Sequence, residues 1–226
     1  IRQALKDKTF ELCFQPIRPT LNNHGCHQRY EVLLRLKHSD GLLLPERFMA
    51  VAERYRLMPQ IDRYVIEHVL KLAETKFTGL TCGISLSINL SAQTIKDRSI
   101  TEFIDRIDVS RLRPACIVFE ITEASAVEDI DDVRHFIDFA HDRGFKIALD
   151  NFGTSYSSFH LLKKLDVDFV KVDGNFISTL RDDPTDQAFI ESLLKIARVR
   201  HFGVVAEWVD NRDKHEYLTD LGIDYM

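Results

Sequence analysis

Lys146-Ile-Ala-Leu-Asp150-Asn-Phe-Gly153-Thr-Ser155 decides how the rest of the chain is read. Lys146 to Leu149 has the pattern of a short buried strand, with Ile147 and Leu149 alternating with their neighbours. The run ends in Asp150 and Asn151 and breaks at Gly153, and a helical pattern resumes at Phe159, Leu162 and Leu165. A strand, an acidic tip, a glycine turn and a helix are how a βα unit presents a carboxylate at the carboxyl end of a sheet. Asp beside Asn and Gly is also the ordinary make-up of a turn or helix cap. Recurrence decides between the two readings, because the same arrangement returns along most of the chain.

Upstream, Leu12-Cys-Phe-Gln15-Pro16 reads as a first strand closed by proline. Tyr30–Arg35 reads as a second, after a polar loop around Asn22, Asn23 and Gly25. A turn at Asp40-Gly41 leads to a helix starting at Pro45, with Phe48, Val51, Ala52 and Tyr55 on one face. A further helix after Pro59 buries Ile61, Val65, Val69 and Leu72. Gly83–Leu90 alternates strictly and ends beside Asn89, with Ser91 suited to cap the next segment. Cys116–Glu123 is a strand ending in two acids, Glu120 and Glu123. Ile130, Val133, Phe136, Ile137 and Ala140 mark an amphipathic helix stopped by Gly144.

Downstream, Asp168–Asp173 is a strand tipped by Lys171 and Asp173, and a helix runs roughly from Asp186 to Val199. Gly203–Trp208 is a strand ending in Glu207. Tyr217, Leu218 and Leu221 share a last helical face before Gly222, and Ile223–Met226 begin an eighth strand. About eight strands alternating with helices demand a largely parallel sheet with helices packed outside it. With 226 residues, the spacing fits one α/β domain closed as a (β/α)8 barrel, close to the ~250 residues usual for that fold. An open doubly wound sheet normally needs a Gly-rich phosphate-binding first turn, and no such motif is present. No internal repeat, low-complexity segment or second domain interrupts the pattern.

The formal charge of −5 provides no general polyanion-binding surface, so DNA binding is not expected and a phosphate ligand needs a local cation. No apolar run approaches the ~20 residues that cross a bilayer, and no signal peptide opens the sequence. Cys13, Cys26, Cys82 and Cys116 form no Cys-x-x-Cys pair and read as reduced thiols of a cytoplasmic domain rather than a zinc site.

In a barrel the carboxyl ends of the strands converge on one mouth. Collected in order, they bring Gln15, Glu31, Arg35, Asn89, Glu120, Glu123, Asp150, Asn151, Lys171, Asp173 and Glu207. Crowded carboxylates repel, and a hard divalent cation relieves that cost most simply. An oxygen-only donor set favours Mg²⁺, Mn²⁺ or Ca²⁺ over zinc. Asp150 and Asn151 are adjacent donors able to bridge two ions, and a pair ~3.5–4 Å apart suits phosphoryl chemistry. Lys171 would then position a water and Arg35 a phosphate oxygen. Individually, Glu31 and Arg35 read equally well as an exposed ion pair, Asn89 as a turn residue, and Glu123 as a helix-start acid.

The motifs Phe14-Gln15-Pro16-Ile17, Glu31-Val32-Leu33-Leu34-Arg35, Ser87-Ile-Asn89-Leu-Ser91 and Glu120-Ile-Thr-Glu123 resemble those of the EAL-domain family, in the family's order. Asp150-Asn-Phe-Gly153, Lys171-Val-Asp173 and Ala206-Glu207 continue the resemblance over essentially the whole chain. The name-giving Glu-Ala-Leu triplet is here Glu31-Val32-Leu33. The resemblance implies a modified TIM barrel with one antiparallel strand. It implies a Mg²⁺- or Mn²⁺-dependent phosphodiesterase that opens cyclic di-GMP to linear pGpG. On matching positions, Glu31, Asn89, Glu120 and Asp150 would hold a first metal, and Asp150, Asn151 and Glu207 a second. Lys171 would hold the attacking water, with Glu31 and Glu207 also in the catalytic set, while Gln15, Arg35 and Asp173 would contact the dinucleotide. Glu123 would support the loop after Asp150, a loop that also takes part in homodimerisation. Attached GGDEF or sensor domains are usual in the family, consistent with a domain cut from a longer protein, whether or not that protein has a membrane anchor. The chain stops after Tyr225-Met226, before a Gln-Gly pair that the family normally carries.

Some positions depart from the pattern. Asn151 stands where the family has a second metal-site Asp, which removes one negative charge and weakens that site. Ser155 stands where Gly is frequent, stiffening the loop. Asp210 replaces a common Glu, and Trp208 follows Glu207 where Gly is common. Trp208 could pack at the barrel rim or stack on a guanine, with packing the expected role. A cyclic di-GMP receptor with little turnover is therefore the alternative to the phosphodiesterase. A retaining glycosidase built on Glu120 and Glu207 leaves Asn89, Asp150 and Lys171 without a role. A Schiff-base lyase fails because the surrounding carboxylates keep Lys171 protonated.

Overall fold

Segments apolar on both faces, such as Ile84–Leu90, Ile117–Thr122 and Lys146–Phe152, suit parallel strands covered by helices outside and by one another inside. The computed structural model describes residues 1–20, 28–39, 41–76, 83–107, 116–155 and 158–226. Its strands are β1 (Phe10–Ile17), β2 (Gln28–His38), β3 (Gly41–Leu43), β4 (Ile84–Leu90), β5 (Ile117–Thr122), β6 (Lys146–Phe152), β7 (Phe169–Val172) and β8 (Gly203–Ala206). They form one curled sheet in the order β1-β2-β4-β5-β6-β7-β8, with β3 off this path and paired to β2. β1 runs antiparallel to β2, whereas β2, β4, β5, β6, β7 and β8 are parallel in succession.

The last residues stitch the two edges together. Tyr225 bridges in parallel to Val205 and antiparallel to Pro19. Arg18 and Met226 exchange backbone hydrogen bonds at 2.6 and 2.8 Å, and the Ala206 amide donates to Tyr225 O at 2.9 Å. The expected modified TIM barrel with one antiparallel stave is the observed fold. Its outer layer packs against the sheet through contacts such as Phe119 against Phe136 and Phe145, with centroids 5.7 and 5.3 Å apart.

Several local expectations change. The second strand extends to His38, because β1 and β3 continue to pair with it beyond the parallel sheet. Glu31 thus lies near the start of β2, and Glu120 lies within β5 rather than at its tip. β6 continues through Asp150 and Asn151 to Phe152, with a register shift between Leu149 and Phe152. The helix after Pro45 is a 3-10 turn followed by Met49–Arg54; Phe48 and Ala52 are buried, but Val51 and Tyr55 are exposed. So short a helix covers too narrow an arc to bury all four. The helix near Asp186 begins at Pro184, where Asp183 caps the Thr185 amide. Asn22, Asn23, Gly25, Cys26, Asp40 and Cys82 lie outside the described residues.

The 19-residue helix Met58–Lys76 is joined to the barrel mouth by a carboxylate that the sequence pattern did not reveal. Asp62 is buried among the apolar residues of this helix, and its Oδ2 accepts from the Ser91 amide (2.9 Å) and Thr94 Oγ1 (2.6 Å). Burial pushes its pKa from 3.8 up to about 6, despite the opposing hydrogen bonds. A folded pKa above the unfolded one favours folding most at low pH, and this contribution is lost as pH rises from 3.8 through 6. The Asp62→Asn variant should therefore lose about 2–3 kcal/mol of the difference in unfolding free energy between pH 4 and pH 7. Denaturant titrations at the two pH values measure that difference; an unaltered slope would assign it to other groups.

Candidate active site

Four strands deliver carboxylates to one point inside the mouth. Glu31 comes from β2, Glu120 from β5, Asp150 from β6 and Glu207 from the residue after β8. Lys171 on β7 places its ammonium among them. Its Nζ lies 2.9 Å from Glu31 Oε2, 2.8 Å from Glu120 Oε2, 3.0 Å from Glu207 Oε1 and 3.3 Å from Asp150 Oδ1. Asn89 on β4 joins the group by donating from Nδ2 to Glu31 Oε1 at 2.9 Å. Glu120, Asp150 and Lys171 are buried, so water screens these interactions weakly.

The charges determine the ionisation. Burial alone would favour neutral lysine, but Glu120, Asp150, Glu31 and Glu207 together hold the Lys171 ammonium well above its ordinary pKa. Burial raises the Glu120 carboxyl, with Lys171 pulling the other way. Glu207 is also raised by burial, against the same ammonium. One cation faces four acids, so the cluster holds an excess of oxygen ligands even with Glu120 and Glu207 raised. An ammonium has three protons, and Glu31, Glu120 and Glu207 surround them at hydrogen-bond distance. Asp150 Oδ1 is then a buried oxygen with no hydrogen-bond partner among the described residues.

Among the described residues, no three His, Cys, Asp or Glu side chains are set together as a metal cage of their own. The carboxylates turn instead toward Lys171. The donor chemistry nevertheless fits a hard divalent cation: an excess of oxygen ligands, an uncompensated negative charge and the orphaned Asp150 oxygen. Asn151 neighbours Asp150 in a left-handed conformation, φ 53°, which asparagine tolerates better than most residues.

The remaining candidate residues surround this centre at different distances. Gln15 on β1 is exposed and directly paired with Glu31, which places both side chains on the same side of the sheet. Arg35 lies four residues further along β2, about 13 Å from Glu31 at strand spacing, and donates to Leu34 O at 2.8 Å. It is not brought into the carboxylate cluster. Asp173 caps the helix Gly174–Thr179, its Oδ1 accepting from the Asn175 amide (2.9 Å) and Asn175 Nδ2 (2.7 Å). Glu123 is fully buried beneath the loop after β6. Its Oε2 accepts from the Gly153 amide, Thr154 Oγ1 and the Ser155 amide, all at 3.1 Å, and its Oε1 from Ser155 Oγ at 2.8 Å. Ser155 therefore restrains the loop through its hydroxyl as well as through the Cβ that distinguishes it from Gly. Nothing in the sequence singles out Thr154; its Oγ1 contact with Glu123 becomes visible only when β5 and β6 are adjacent.

A family model described as EAL domain matches residues 1–226. The chain belongs to the EAL-domain family. It is 34% identical over 227 residues to cyclic di-GMP phosphodiesterase PdeB of Shewanella oneidensis, covering 100% of this chain and 26% of that protein. It is 32% identical over 230 residues to cyclic di-GMP phosphodiesterase PdeF of Escherichia coli K12, covering 100% of this chain and 30% of that protein. The chain thus spans less than a third of the length of these curated relatives. Among solved structures, the FimX EAL domain of Pseudomonas aeruginosa bound to c-di-GMP superposes with a TM-score of 0.89 at 27% identity, covering 99% of this chain and 90% of that one. The PaMucR phosphodiesterase in its c-di-GMP complex gives 0.89 at 29% identity, covering 99% and 91%.

Two substitutions probe the geometry. Lys171→Met leaves the carboxylates without their ammonium and should cost about 3–5 kcal/mol of stability at pH 8. The loss should shrink as pH falls and the raised carboxyls take up protons, and Mn²⁺ should restore part of it in thermal melts. Glu123→Ala removes the acceptor for four donors and should cost about 2–3 kcal/mol. Faster hydrogen exchange at the Gly153 and Ser155 amides, with other strand amides unchanged, would localise that effect to the loop.

Proposed function

We propose that this domain is a metal-dependent phosphodiesterase that hydrolyses cyclic di-GMP to linear pGpG. The observation carrying the reading is Lys171 held amid Glu31, Glu120, Asp150 and Glu207, with Asp150 Oδ1 left for a further cation. Family membership and the c-di-GMP-bound structural neighbours favour this substrate. Glu31, Asn89, Glu120 and Asp150 would hold Mg²⁺ or Mn²⁺, and Asp150, Asn151 and Glu207 a weaker second ion. When bound, such ions neutralise phosphate charge and make a water easier to deprotonate.

The protein's own groups account for the remaining roles. Lys171 stays protonated, so it donates hydrogen bonds that orient the water and stabilise developing negative charge, and it does not act as a base. Glu207, raised by burial, is the carboxylate suited to accept the water's proton. Glu31 keeps Lys171 and Asn89 in place. Water forms a new bond to one phosphorus, the P–O3′ bond breaks, and a proton passes to the departing 3′ oxygen. The product keeps a 5′ phosphate. Gln15, Arg35 and Asp173 would contact the dinucleotide, Arg35 after exchanging its Leu34 carbonyl for a phosphate oxygen. The loop held by Glu123 would contribute to a homodimer, and the domain would work in the cytoplasm joined to GGDEF or sensor domains.

Asn151 supports a second reading, a c-di-GMP receptor with little turnover, because the second ion lacks one negative ligand. Incubating the protein with c-di-GMP, with and without Mn²⁺, should give Mn²⁺-dependent pGpG by chromatography and binding by calorimetry. Neither binding nor product in either condition would rule out both readings. Binding without product, with turnover appearing only in Asn151→Asp, would establish the receptor.

A further inference from the structure

We infer that Trp208 is a stacking platform for a guanine base of the ligand, an inference that rests on the cyclic dinucleotide reading above. Three features of the residue converge. First, Trp208 has φ 55°, a backbone conformation that a bulky side chain rarely adopts and that needs support from its surroundings. Second, 64% of the residue remains exposed, so burial of the indole does not supply that support. Third, the ring rests against Gly174: a Cβ built there would fall 2.2 Å from Trp208 Cδ2 and 2.4 Å from Cγ. Only glycine admits the indole in this place.

The position matters because of its neighbours. Trp208 follows Glu207, whose carboxylate lies 3.0 Å from Lys171 Nζ, and Gly174 follows Asp173. The indole thus lies against the backbone that follows β7, at the carboxyl end of the sheet from which Glu207 also projects, and 64% of the residue is open to solvent. A rim residue that served only as packing would be largely buried; this one is not. The cluster beside it, one ammonium among four carboxylates, is charged throughout and offers a purine face no apolar partner. A flat aromatic ring one residue away does, and stacking on it needs no charge. Whether a bulky residue at this position merely fills the rim or stacks is therefore a question of aromaticity, not size.

Trp208 is also the only tryptophan in the chain, so intrinsic fluorescence reports on this residue alone. Titrating c-di-GMP into the protein, with calorimetry in parallel, should quench the fluorescence along the calorimetric isotherm. Trp208→Leu and Trp208→Phe both retain a bulky side chain at the same backbone angle. The Leu variant should bind roughly tenfold more weakly, whereas Phe should retain most of the affinity. Gly174→Ala, which displaces the indole without removing it, should weaken binding in the same direction. Thermal melts confirm that each variant is folded, and Trp208→Gly, free of the backbone penalty, should melt no lower than the parent while binding as weakly as Leu. Equal affinity in the Phe, Leu and Gly variants, or binding without quenching, overturns the stacking role and leaves the phosphodiesterase reading standing. Absence of calorimetric binding to the parent protein overturns that reading and this one together.

Discussion

A single buried ammonium surrounded by four acids is the constraint on which the mouth of this barrel depends. Lys171 cannot lose its proton while Glu31, Glu120, Asp150 and Glu207 face it, and the acids cannot all remain ionised beside one another without it. The groups come from β2, β5, β6, β7 and the end of β8, so the cluster exists only when the sheet is correctly curled. Stability and chemistry are opposed here. A hydrophobic interior would hold the barrel more simply, and the buried acids make sense as groups kept ready for something positively charged.

The surroundings protect this arrangement by fixing the segments that carry it. Asp62 ties an outer helix to Ser91 and Thr94, just beyond Asn89, and Glu123 takes four hydrogen bonds from the loop just beyond Asp150. Each is a buried acid outside the central cluster that converts a loop leaving the mouth into a hydrogen-bonded structure. Precise placement of a charged centre commonly depends on such supporting partners.

Much of the architecture was legible in the sequence, because Ile147 with Leu149, or Val170 with Val172, declare strands by apolar alternation and Gly144 and Gly222 mark helix ends. The donor residues were legible for a related reason: a polar residue interrupting a buried strand is conspicuous. What could not be read was register and depth. Glu120 looked like a strand tip but is inside β5, and Arg35 looked like a neighbour of Glu31 but lies along an overhang created by β1 and β3. Val51 and Tyr55 followed helical spacing yet face outward, since spacing predicts a shared face but not whether anything covers it. Asp62, one of three acids on its helix and the one that falls beside the buried Ile61, gave only the weak signal of a charge bordering an apolar stripe.

The seam that closes the barrel has a consequence for how the chain reaches its native state. Thr20 donates its hydroxyl to the Ile223 carbonyl across 203 residues, and neighbouring amides lace the same two edges together. The successive β-strand and helix units can assemble locally, one beside the next, but this junction joins segments that are nearly as remote in sequence as the fold permits. Loop-closure entropy makes such a contact late and slow. Until it forms, the edges of β1 and β8 expose unpaired backbone capable of joining a second chain. The hazard in folding therefore lies at the seam, where β1, already paired locally with β2, must still meet the far end of the chain.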